Sequence, residues 1–180
     1  PHGGEKRVVT YDDASAGPLP ARWAYDAIKL PEAWAQLPGA PGAGVTVGMF
    51  DGDVWFGHPD LAAIDVALSD QRDLAIDESA REDADDSVER AVERTKHATG
   101  VASIIAATPG DDASASDGTV GIAYGCTLAS VSQYASDVQK CTGAVDDPDH
   151  ASAHQYAFAL TRLIREGGAK VVNLSNGLPW

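Results

Sequence analysis

Sulfur is scarce in this chain: its 180 residues include two cysteines, Cys126 and Cys141, and one methionine, Met49. Two cysteines are too few for a disulfide-stapled scaffold or a four-ligand zinc site. They leave two arrangements open, one disulfide in an exported protein or two buried free thiols. Basic side chains are few as well, 13 against 27 acidic ones, for a formal net charge of −14. Such a chain has no basic surface to displace counterions from phosphate groups, so nucleic acid is excluded as a partner and anionic membrane surfaces repel it. No apolar run approaches the roughly 20 residues that span a bilayer.

What is present is a globular composition. Hydrophobic residues make up 44% and charged ones 22%, enough for one core and too ordered a balance for a disordered chain. The acidic surface suits a soluble, extracytoplasmic or salt-tolerant enzyme. The chain opens on Pro1, without an initiator Met or a signal segment, and so reads as a processed or excised piece. Residues 1–20 are polar and rich in Gly, Pro and Asp, which predicts an extended arm, and residues 21–180 read as one domain.

Pro31 sits in the first turn of a short helix over Glu32–Gln36. Val45–Phe50 reads as a buried strand stopping at Asp51. Leu61–Leu68 is a short apolar segment, and the heavily charged 69–96 a solvated insertion, helical in part. A small, apolar helix is expected to start near His97 and run to Ala107. Leu128–Val131 predicts a strand, Gln133–Asp149 a long loop, and Ala151–Glu166 an amphipathic helix with Tyr156, Ala159, Leu160 and Leu163 on one stripe. Gly167-Gly168 ends it, and Val171–Leu174 is the last strand. Helices and strands alternate, which implies an α/β fold with a mostly parallel sheet and helices on both faces. Ligands bind such sheets beyond the carboxyl ends of the strands. Asp51 and Ser175-Asn176-Gly177 fall at such ends, and His97 begins a buried helix.

These segments carry a family resemblance. Val47 to Leu61, with Asp51 at the end of its strand and His58-Pro59-Asp60-Leu61 beginning seven residues later, resembles the Asp motif of subtilisin-like serine proteases. His97-Ala98-Thr99-Gly100-Val101-Ala102-Ser103 is similar to the subtilase His-Gly-Thr-His-Val-Ala-Gly. Gly121-Ile122-Ala123 resembles the entry to the family's next strand, and Val171–Gly177 its Val-Ile-Asn-Met-Ser-Leu-Gly segment. The four segments occur in family order over roughly residues 22–180.

The resemblance implies a subtilisin-like three-layer α/β/α fold and peptide-bond hydrolysis by a Ser-His-Asp triad. His97 would be the general base and Asp51 the residue that orients it. Ser175, Asn176 and Gly177 would pair with an extended peptide substrate. Asp60 would be an oxygen ligand of a structural Ca²⁺, with a helix cap as the alternative. No cofactor is needed for the chemistry. The family's nucleophile motif, Gly-Thr-Ser-x-Ala, does not occur in these 180 residues. The expectation is that this is the N-terminal portion of the catalytic domain, inactive alone, with the Ser on a second chain or a missing C-terminal segment. Asp53 adds a carboxylate two residues from Asp51, and Gly100 stands where the family has a second His.

Two rival readings follow from the same residues. Asp51-Gly52-Asp53 after a strand also resembles the Asp-x-Asp motif of Mg²⁺-dependent haloacid-dehalogenase-type phosphohydrolases, but that leaves the His-Pro-Asp-Leu and His-Ala-Thr segments unexplained. Alternatively, the chain is an inactive fragment or pseudoprotease that only binds peptide. A dinucleotide site is disfavoured, because Gly42-Ala43-Gly44 precedes its strand.

Overall fold

The computed structural model describes residues 8–9, 19–20, 23–71, 87–109, 120–135, 137–138 and 152–175. Its centre is a four-stranded sheet. Strands β3 (Thr46–Asp51), β4 (Asp65–Asp70), β5 (Thr127–Ser132) and β6 (Val171–Asn173) run in the order β4-β5-β3-β6, and every pairing is parallel. From the predicted arm, β1 (Val8–Val9) pairs antiparallel with β2 (Leu19–Pro20). Two short helices, α1 (Trp23–Ala27) and α2 (Leu30–Trp34), precede the sheet.

β3 holds the middle because its residues are apolar on both faces, as a two-sided parallel sheet requires. Pleat alternation sends Val47 and Met49 to one face, where they meet Ala98, Ala102 and Ala106 of helix α3 (Ser87–Ala106). It sends Phe50 to the other, against Ala159 and Leu163 of helix α4 (Ala153–Arg165). Helices therefore cover both faces of a parallel sheet, the α/β/α arrangement expected of a subtilisin-like fold. α4 starts with reciprocal capping: Ser152 Oγ accepts from the Gln155 N–H at 3.3 Å, and Gln155 Oε1 accepts from the Ser152 N–H at 2.7 Å. It ends at Arg165, and Gly168 beyond it has a left-handed φ of 68°. Gly48 lets α4 approach, since a Cβ there would lie 3.0 Å from Ala169 Cβ and 3.3 Å from Leu163 Cβ.

Three sequence expectations need correction. The helix carrying His97 does not start there: it begins at Ser87, and His97 lies inside it. Its first half, with five charged residues among Ser87–Lys96, reads as part of the solvated insertion rather than of the same helix. The 61–68 segment is not one apolar unit but a 3₁₀ turn, Pro59–Leu61, followed by β4. β4 went unread because it is an edge strand, exposed along Asp65–Ala67, with only half of the alternation a buried strand displays. The helix expected over Glu32–Gln36 lies instead at Leu30–Trp34. The remaining boundaries shift by one or two residues. Most of the expected Gln133–Asp149 loop lies outside the described residues.

Cys126 is a buried free thiol packed with Val47 and Ala106, and burial pushes its pKa up. Cys141 lies outside the described residues. A thiol both buried and protonated is inert. Iodoacetamide is expected to leave Cys126 unmodified in the native protein and to alkylate it only after denaturation, as peptide mass mapping would show.

Candidate active site

Because all four strands run the same way, their carboxyl ends lie along one edge of the sheet. Asp51 ends β3, Ser132 ends β5 as its register partner, and Asn173 ends β6. Asp51 continues the Val47, Met49 alternation and so faces α3. Ala98, Ala102 and Ala106 recur every four residues on the buried side of α3, all at 0% exposure. Their small side chains let the helix lie close on the sheet. His97, adjacent to that stripe, is thereby brought to the end of β3.

His97 Nδ1 lies 2.9 Å from Asp51 Oδ1. The two side chains differ sharply in exposure, 3% for Asp51 and 59% for His97. The same Oδ1 accepts the Gly52 N–H at 2.6 Å. Oδ2 is buried and has no hydrogen-bond partner among the described residues. A buried carboxylate facing Nδ1 fixes the proton there, leaving Nε2 as the basic nitrogen of the more exposed side chain. Such a pair can take a proton from a hydroxyl at Nε2 and stabilise the resulting imidazolium.

The segment after Asp51 is held on three sides. Asp53 and Val54 are buried. The Val54 N–H donates to Gln71 Oε1 at 2.9 Å, and Gln71 Nε2 donates to the Val54 carbonyl at 3.1 Å. The Trp55 N–H donates to Thr99 Oγ1 at 2.9 Å. Trp55 is half-exposed and meets His58 edge to face, ring centroids 5.5 Å apart.

Asp60 sits in the 3₁₀ turn, where His58 Nδ1 accepts its N–H at 3.2 Å. The Asp60 carbonyl accepts the Thr108 N–H at 3.0 Å. Among the described residues no group of three or more His, Cys, Asp or Glu gathers. Most of the loop that the resemblance pairs with Asp60, 108–118, lies outside them. Ser175 is exposed past the end of β6, and its Oγ accepts from Asn173 Nδ2 at 2.8 Å. Asn176 and Gly177 lie outside the described residues. Gln71 was not foreseen. Its signal was its place directly after β4, the strand that sequence patterning missed.

No curated protein and no solved structure matches the chain. A family model does: Peptidase_S8, the subtilase family, over residues 42–179, which takes in all four sheet strands, α3 and α4. That match covers most of the chain, and the chain belongs to the subtilase family, whose members are serine peptidases.

Proposed function

We propose that this chain supplies the Asp and His of a Ser-His-Asp triad that hydrolyses peptide bonds. The observation that carries the reading is the 2.9 Å contact between Asp51 Oδ1, on a buried carboxylate, and Nδ1 of the largely exposed His97. In this mechanism His97 Nε2 takes the proton of a seryl hydroxyl as the oxygen attacks the scissile carbonyl, then returns it to the leaving amine. Asp51 keeps the Nδ1–H tautomer in place and stabilises the imidazolium without itself being protonated. Family membership favours this role for Asp51 over that of a phosphoryl-transfer nucleophile paired with Asp53.

The nucleophile comes from outside residues 1–180, on a second chain or on a C-terminal continuation. Ser175 to Gly177, beyond β6, offer backbone to an extended peptide by strand pairing. The exposure of Ser175 supports that reading. An extracytoplasmic setting fits both the family and the acidic surface.

A fluorophosphonate probe tests the proposal on the native protein. The expected result is one covalent adduct on a Ser outside residues 1–180, lost in His97→Ala. A native protein that takes no probe and cleaves no peptide would leave a peptide-binding pseudoprotease as the better description.

A further inference from the structure

We propose that Gln71 is a positioning residue for the Asp51–His97 pair, acting through the 52–55 segment. The inference rests on the triad reading above and names a residue that reading does not contain.

Sheet register places Gln71. Asp70 pairs with Val131, so Gln71, one residue on, comes level with Ser132, the register partner of Asp51. Gln71 therefore sits beyond the end of a strand two places from β3, at a strand spacing of about 4.8 Å. To reach it, the chain leaving Asp51 must cross the end of β5. An irregularity in β4 aims the side chain. Val66 pairs with Leu128 and Leu68 with Ala129, so Ala67 is an extra residue that shifts the pleat. Beyond it Leu68 packs on the α4 side, and Asp70 forms an ion pair with Arg162 of α4. Alternation then turns Gln71 to the α3 side, where Val54 is buried with Met49 and Ala98.

There the Gln71 amide serves both backbone groups of Val54, as a neighbouring strand would. Val54 is 0% exposed, so without Gln71 its N–H loses its partner in an apolar setting, and its carbonyl keeps the Phe56 N–H at 3.2 Å. The next N–H, that of Trp55, is held by Thr99, two residues past His97 on α3. At the start of the segment the Gly52 N–H holds Asp51 Oδ1, the atom that faces His97. Gln71 and Thr99 thus fix the path of 52–55, and that path fixes the donor that orients the carboxylate. Thr99 lies on the helix that carries His97, so it moves with the imidazole. Gln71 ties the segment to the sheet.

The test uses the complete, active protease with Gln71→Met and Gln71→Glu. Met keeps the length and volume and removes both hydrogen bonds. Glu keeps an acceptor for the Val54 N–H but sets a carboxylate against the Val54 carbonyl until it is protonated. Both variants are expected to lower kcat by roughly tenfold to 100-fold, the scale of a misplacement near 1 Å, with KM within about twofold of wild type. For Gln71→Glu the kcat ratio to wild type is expected to rise as pH falls from about 8 to about 5, because the protonated form donates as the amide does. A Met variant with wild-type kcat, or a Glu ratio flat across pH, overturns the inference, since a space-filling role predicts both. Asp51→Ala serves as the control: activity that survives it would overturn the triad itself, and the inference with it.

Discussion

His97→Ala in the complete enzyme is expected to lower kcat by about 10⁶-fold with KM little changed, and Asp51→Asn by about 10⁴-fold, the sizes measured on protease triads, the first of them on a subtilisin of this same family. The asymmetry follows from the geometry. In the proposed triad, removing the imidazole removes the group that carries the proton. Replacing Asp51 with Asn leaves a side chain of the same shape in a position that is 3% exposed, but the Oδ1 site that faces Nδ1 also accepts the Gly52 N–H, so an amide that turns its NH₂ there gives up that donor. An amide facing Nδ1 with its NH₂ selects the tautomer with the proton on Nε2, which can no longer act as base. Steady-state kinetics on a peptide anilide would separate the two variants. Equal losses of only a few fold would remove Asp51 and His97 from the chemistry.

Phe50→Ala is expected to destabilise the protein by about 3–5 kcal/mol, the range for deleting a buried aromatic ring. Phe50 is 0% exposed in the centre of the sheet. It packs among Ala129, Val131, Ala159 and Leu163, and meets the Tyr156 ring edge to face at 5.1 Å. Most of those neighbours are on α4 and β5, elements the backbone ladder holds rigidly, so the space left cannot close. The urea midpoint of the complete protein measures the loss. Phe50→Leu, which refills part of the volume, is expected to recover more than half of it. A midpoint unchanged in the alanine variant would mean that the α4 layer does not rest on β3.

Much of the central sheet and of the candidate site is legible in the sequence, for definite physical reasons. β3 and β5 are dense in apolar residues because each is paired on both sides and covered on both faces. The capping box and Gly168 mark both ends of α4 through local hydrogen bonding and backbone geometry. Asp51 and His97 stand out because they are embedded in residue strings with a fixed spacing. What stays hidden depends on neighbours distant in the chain. β4, exposed along half its length, carries no alternation to find, and its irregularity at Ala67 has no marker in the sequence. Gln71 looks like any polar residue opening a charged stretch until its register beside β5 is known. Asp53, which the sequence shows only as a second carboxylate two residues from Asp51, is 2% exposed, and only the course of the chain after Asp51 decides that.

The strand that carries Asp51 finds both its neighbours late. Thr46 pairs with Thr127, and Val47 with Val171, so β3 is synthesised long before either partner exists. Parallel pairings of this kind close large loops, and such contacts form slowly. During translation β3 therefore stays without its ladder partners until β5, and then β6, has followed. A chain cut short before Val171 therefore leaves the strand that carries Asp51 without one of its two neighbours.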